Sequence, residues 1–217
     1  GCRLQWVGSQ DKVAFNHAEG DCGMLLVNIH GAVEKKYPLH AASFAVSSGF
    51  YVGYDFYDVE GGMPGYGYKD EDGSSLRHVV PQSIYCVDAA TAKLKWAIHK
   101  AEIISMCGIA APAGEVRSFV THATISRDDT FIACFLRFSD VGGDIARRIT
   151  YLIILSADGS TVRNIPLGDM VSHMTWLDGS RLLAYCRTSG GSDCYCLIDA
   201  VGGKILSTIS RDLLNSD

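Results

Sequence analysis

Along the chain, short apolar runs alternate with turns rich in Gly, Asp, Asn and Ser, and the order of run and turn repeats. Each repeat opens on a short first strand, then a turn, then a more apolar second strand. The first two openings are Leu4-Gln5-Trp6-Val7 with Val13-Ala14-Phe15, and Ser43-Phe44-Ala45-Val46 with Tyr51-Val52-Gly53-Tyr54. The third is Ala123-Thr124-Ile125-Ser126 with Phe131-Ile132-Ala133-Cys134-Phe135. The fourth is Met174-Thr175-Trp176-Leu177 with Leu182-Leu183-Ala184-Tyr185. Third strands are expected at Leu25–Asn28, Ser83–Asp88, Tyr151–Ser156 and Tyr195–Asp199. They are β-branched or aromatic runs that meet residues suited to hairpin turns. Outer fourth strands are expected at Glu34–Leu39, Leu94–Ile98, Val162–Pro166 and Ile205–Ile209. Nowhere does the pattern predict a long helix.

With Trp6, Ala45, Ile125 and Trp176 taken as one column, the repeats are spaced by 39, 80 and 51 residues. Four-stranded propeller blades recur at roughly 40–50 residues. The expected fold is therefore all-β, a β-propeller of four-stranded antiparallel blades. Its units are 3–39, 41–99, 119–168 and 171–209, the second carrying an insertion at 58–81 rich in Gly and aromatics. The segment 101–117, between units two and three, is expected to be a loop or a stray strand. Four visible blades suggest an arc of a ring of about six to eight blades. An arc leaves apolar blade faces open, to be covered by missing chain or by a partner, and the other reading is a complete four-bladed ring.

Composition supports this reading and removes some functions. The 217 residues are 47% hydrophobic with 23 glycines, which suits a turn-rich β protein. The net charge is −5 with no dense Lys/Arg block, so no nucleic-acid partner is expected. No apolar run reaches the length of about 18 residues that a membrane helix needs. The eight cysteines form no C-x-x-C pair, and Cys194 and Cys196 fall on one face of a strand. They are expected to be buried reduced thiols in a cytoplasmic protein, or a periplasmic one if a signal peptide was removed.

Three groups of residues carry candidate chemistry. His122 and His173 stand three residues before Ile125 and Trp176, on first strands that line the central channel of a propeller. Two imidazoles there would begin a metal site, with Asp169 or Gln5 as helpers. Arg3 and Ala42 occupy the matching positions of units one and two. Tyr66 and Tyr68, with Tyr54, Phe56 and Tyr57 upstream, form an aromatic loop suited either to stacking on sugar or to packing its own blade. Arg137, Arg147 and Arg148, near Asp140 and Asp144, offer guanidinium forks for a carboxylate or phosphate. A G-x-S-x-G nucleophile turn is absent, and neither Gly61-Gly62 nor Gly190-Gly191 has the strand-to-helix setting of a phosphate loop.

The stretch Thr121-His122-Ala123-Thr124-Ile125-Ser126-Arg127-Asp128-Asp129-Thr130-Phe131-Ile132-Ala133 resembles the blade start of TolB-type and oligogalacturonate-lyase-type propellers. Ser172-His173-Met174-Thr175-Trp176-Leu177-Asp178-Gly179-Ser180-Arg181-Leu182-Leu183-Ala184 does the same. The loop Pro64-Gly65-Tyr66-Gly67-Tyr68, taken with Val171-Ser172-His173, is most similar to bacterial propellers associated with polysaccharide gene clusters. The proline that such blade starts place after Ser126 is replaced by Arg127. The resemblance implies a carbohydrate-associated propeller that binds, or processes by a metal-assisted lyase-like reaction, an acidic oligosaccharide at its channel. It further implies a divalent metal, manganese or calcium, on His122 and His173, with Tyr66, Tyr68, Arg137 and Arg148 meeting the glycan. The other reading is a non-catalytic scaffold for a protein partner, as in TolB and WD-repeat proteins.

Overall fold

The computed structural model describes residues 3–8, 11–19, 22–47, 49–69, 83–140 and 148–210. They form four four-stranded antiparallel sheets, each a simple meander in chain order. Blade 1 contains β1 (Gln5–Val7), β2 (Lys12–Glu19), β3 (Cys22–Asn28) and β4 (Val33–Tyr37). Blade 2 contains β5 (Ser43–Phe44), β6 (Phe50–Tyr54), β7 (Ser83–Asp88) and β8 (Leu94–His99), with helix α1 (Phe56–Gly62) after β6. Helix α2 (Lys100–Met106) leads to blade 3, made of β9 (Val116–Ile125), β10 (Phe131–Asp140), β11 (Ile149–Ser156) and β12 (Val162–Asn164). Blade 4 contains β13 (Val171–Trp176), β14 (Arg181–Arg187), β15 (Asp193–Asp199) and β16 (Lys204–Ser210). This is the β-propeller architecture that the repeat implies.

The period-2 pattern is satisfied by stacking the sheets face to face. One core joins blades 1 and 2 through Val7, Leu26, Tyr37, Phe44, Tyr51 and Tyr85. A larger one joins blades 2 and 3, and a third joins blades 3 and 4. Among the described residues, no such core joins blade 4 to blade 1. The thiols of Cys86, Cys134, Cys186, Cys194 and Cys196 are buried within these cores, and the described cysteines are all free.

Pairing of the first two strands corrects the expected column by one residue. Trp6 opposes Val13, Phe44 opposes Tyr51, Ile125 opposes Ile132 and Trp176 opposes Leu182. Phe44, not Ala45, is therefore the blade 2 member. A one-residue slip moves a side chain to the other face of a sheet, and Ala45 does pack in the core on the far side of blade 2 from Phe44.

A second correction concerns 101–117, which begins as a helix rather than a strand. Helix α2 is held by its start: Glu102 accepts from the His99 backbone N–H at 2.7 Å, and His99 Nδ1 accepts from Ala101 N–H at 3.2 Å. Reciprocal bonds of this kind satisfy helix-start donors, but histidine is not among the residues that usually announce a cap.

The Ser-x-Asp turns after the blade starts are structural. Ser126 Oγ accepts from Phe131 N–H and donates to Asp128, whose carboxyl is held below its usual range by bonds from Thr130 and Ser126. Asp129 reaches across to blade 2 and accepts from the N–H groups of Val46 and Ser47 at 2.6 and 2.7 Å. Gly179 approaches so closely that a Cβ there would lie 2.1 Å from Asp128 Oδ2.

Candidate anion site

The residue three before each column position lies at the same end of its blade. These residues are Arg3, Ala41, His122 and His173, so the blade 2 member is Ala41 and not Ala42. Arg3 and His122 both adopt left-handed backbone, with φ of 52° and 57°. Such geometry costs energy in a residue with a side chain and clusters at functional positions. In β9 the cause is a bulge: Thr124 pairs with Ala133 and Thr121 with Phe135, so His122 and Ala123 together oppose Cys134. Strand β13 bulges at the corresponding end, between Val171 and His173. Bulges redirect side chains at the rims of sheets.

His122 is half-buried, with its ring 5.2 Å from that of Phe135 and Nδ1 3.0 Å from Thr121 Oγ1. Burial pushes its imidazole down to about 3, helped by the positive fields of Arg137, Arg3, His173 and Arg148. His173 is exposed, with Nδ1 2.6 Å from Ser172 Oγ. The two histidines thus share an electrostatic environment with three arginines drawn from blades 1 and 3.

Arg137, on β10, is only 6% exposed. Its guanidinium lies 5.1 Å over the Phe135 ring, and Nη1 donates to Met63 Sδ at 3.0 Å. Burial, with Arg148 nearby, lowers its pKa to about 10. Arg3 packs 5.9 Å from the Tyr54 ring. Nε is buried without a hydrogen-bond partner in Arg3, Arg137 and Arg148 alike. Four other cations are paired: Lys12 with Glu34, Lys100 with Asp58, Arg181 with Asp178, and Arg187 with Asp169 and Asp193. No ion pair between described residues involves Arg3, Arg137 or Arg148. Buried donors are normally satisfied, and a buried charge normally has a counter-charge. Among the described residues, each of these three guanidinium groups keeps a buried Nε–H without an acceptor and has no carboxylate partner.

The aromatic loop stands beside this cluster because α1 places it there. Asp55 caps α1 by accepting from Tyr57 N–H and Asp58 N–H at 2.9 and 3.0 Å. Glu60 then accepts from Gly65 and Gly67, which ties the loop back to the helix. Gly65 has a φ of 88°, and a Cβ on Gly67 would lie 2.1 Å from the Phe56 carbonyl oxygen, so both positions demand glycine. Tyr68 stacks on Phe56 at 4.7 Å, faces His40 at 4.9 Å, and its hydroxyl accepts from Asn16. Protein therefore occupies the ring that was a candidate for sugar stacking, and Tyr54, Phe56 and Tyr57 are buried as well. Tyr66 is 63% exposed and lies near enough to Arg137 and Arg148 to act on both electrostatically.

The sequence matches no known family profile, and comparison with curated proteins returns no match. Solved structures do resemble it. TolB from Acinetobacter baumannii has 15% identity and a TM-score of 0.49, with 97% of this chain and 43% of that one covered. Hydrazine synthase from Kuenenia stuttgartiensis has 11% identity and a TM-score of 0.50, with 94% and 47% covered. The chain thus spans less than half the length of either. The likeness is one of fold.

The residues present do not fit the divalent metal that the resemblance implies. A cation would enter a space already bordered by three unneutralised guanidinium groups. Among the described residues, no cluster of three or more His, Cys, Asp or Glu side chains exists to hold one. Sequence reasoning identified Arg137 and Arg148 but missed Arg3 as their companion, although Arg3 stood in the same column as His122. Arg147, Asp144 and residues 70–81 lie outside the described residues.

Proposed function

We propose that this propeller binds an acidic glycan at the channel end of its blades. The observation that carries the reading is the trio Arg3, Arg137 and Arg148, each with a buried Nε lacking a partner and without a carboxylate among the described residues. A uronate carboxylate would accept from this trio as bidentate forks. The exposed ring of Tyr66 would pack against the apolar face of the sugar. Neutral His122 adds a hydrogen-bonding nitrogen without adding charge. A protein partner is the second reading, favoured by the open apolar faces of the end blades.

Calorimetric titration with oligogalacturonate and with a neutral oligosaccharide of equal length tests the proposal. Binding of the acidic chain alone is expected, weakened at least about tenfold by Arg137→Gln, since one lost charged hydrogen bond costs about 1.5–3 kcal/mol. Equal binding of both sugars, or none by either, overturns it. A parallel thermal-shift series with Mn²⁺ and Ca²⁺ is expected to show no stabilisation that depends on His122 and His173.

A further inference from the structure

Beneath the aromatic loop lies a histidine that the anion site does not use. His40 follows β4 and is fully buried, and neither ring nitrogen has a hydrogen-bond partner. Its walls are aromatic. Phe56 and Tyr57 face it from α1, and Tyr68 faces it from the loop after α1. Phe56 and Tyr57 are themselves buried, whereas Tyr68 is half-buried and lies among the exposed residues 64–66 and 69. On the backbone side, the Tyr85 hydroxyl of β7 donates to the His40 carbonyl at 2.9 Å, and a Cβ on Gly53 of β6 would lie 2.2 Å from that oxygen. Tyr68 is therefore the wall nearest to water.

No counter-charge waits inside this shell. The acidic groups of α1 are engaged elsewhere: Asp55 by the N–H groups of Tyr57 and Asp58, Asp58 by Lys100, and Glu60 by Gly65 and Gly67. The titratable groups that face the ring are the phenols of Tyr57 and Tyr68. Burial alone pushes the imidazole down, to about 4. A second proton on the ring creates a charge and a further N–H donor where the shell supplies neither a carboxylate nor an acceptor. Such a group gains most by reaching water.

We infer that His40 is an acid-sensitive latch for the loop 63–69: its protonation lifts Tyr68 away and carries Tyr66 off Arg137 and Arg148. The fastenings of the loop are of a kind that water can replace. Tyr68 N–H donates to the Phe56 carbonyl at 3.1 Å, Asn16 donates to the Tyr68 hydroxyl at 2.9 Å, and Glu60 accepts from Gly65 and Gly67. Protonation can multiply the ratio of open to closed loop by at most about 300-fold, the factor between a histidine titrating at about 4 and one at 6.5. The consequence for Tyr66 rests on the anion site proposed above, while release of the loop does not.

The test is fluorine NMR of the full chain carrying fluorotyrosine, with the Tyr68 resonance identified by its loss in Tyr68→Phe. The pH runs from about 7.5, where histidine is neutral, down to about 4.5. Tyr37, Tyr51 and Tyr85 lie in the core between blades 1 and 2 and report global unfolding in the same spectra. The Tyr68 signal alone is expected to move toward the solvent-exposed position on acidification, and to stay in place in His40→Leu. Oligogalacturonate affinity is expected to fall about twofold or more over the same range, as when half the molecules are open, and to fall less in His40→Leu. A Tyr68 signal that stays put, that moves only together with the core tyrosines, or that moves equally in His40→Leu overturns the inference. Loop opening as expected, with oligogalacturonate bound at neither pH, supports the latch and overturns the anion site alone.

Discussion

His40 is completely buried, and neither of its ring nitrogens has a hydrogen-bond partner. It sits among the rings of Phe56, Tyr57 and Tyr68 at 5.6, 6.0 and 4.9 Å. Burial pushes its pKa down to about 4 from the ordinary 6.5. As pH falls through 6.5 the unfolded chain takes up a proton that the folded chain refuses, so stability is complete above 6.5 and is lost on the way down to about 4. A shift of that size corresponds to a loss on the order of 3 kcal/mol. Urea unfolding across this window should show the loss, and His40→Leu should roughly halve its slope, leaving the part due to His122, which begins at the same 6.5 and runs on to about 3. An unchanged slope in the variant would remove His40 as the cause. Arg137 supports an opposite kind of prediction. Its buried charge has no carboxylate partner among the described residues, so Arg137→Met should leave the ligand-free protein as stable or raise it by about 1 kcal/mol or more. The same change should abolish binding of the acidic sugar. A variant that loses stability and binding together would make Arg137 a structural residue.

At the scale of elements, α1 joins the core of blade 2 to the anion site. Its N-cap, Asp55, is partly desolvated, and burial raises its carboxyl above the usual range even as it accepts two backbone N–H bonds. Asp55→Ala should cost about 1 kcal/mol of stability. The helix ends at Gly62, and the next residue, Met63, contacts Arg137. Loosening α1 should therefore also weaken sugar binding, whereas removing a surface cap such as the Asp178 turn should change stability alone. Chemical denaturation and titration on the same variant separate the two effects. The bulges in β9 and β13 belong to this scale as well: the first takes His122 out of the ladder, and the second inserts Ser172 just before His173, which stays paired with Tyr185.

The whole molecule is net negative at −5, yet Arg3 before β1, Arg137 on β10 and Arg148 before β11 all act on His122 as positive neighbours. Positive charge gathered in one place can attract anions despite the overall sign. Among the described residues, the column residue of blade 1, Trp6, is 62% exposed, whereas Phe44, Ile125 and Trp176 are buried between blades.

Strand order and blade type were legible in the chain because alternating apolar positions and hairpin turns are local signals. The repeat at Trp6, Ile125 and Trp176 carried them far enough to name the architecture. The column in blade 2 was misread at Ala45 because adjacent apolar residues leave a two-residue period ambiguous by one, and only pairing of Phe44 with Tyr51 settles it. Helix α2 was hidden because its cap is a histidine. Tyr66 and Tyr68 look alike in sequence, but stacking on Phe56 and His40 withdraws one and leaves the other exposed. Arg3 and Arg137 are 134 positions apart, and no local pattern links them. Their nearness to one another, with no carboxylate among the described residues paired to them, follows from how the blades stack. Short-range periodicity thus determined the blades, while long-range packing decided which side chains share a site and which charges are left without partners.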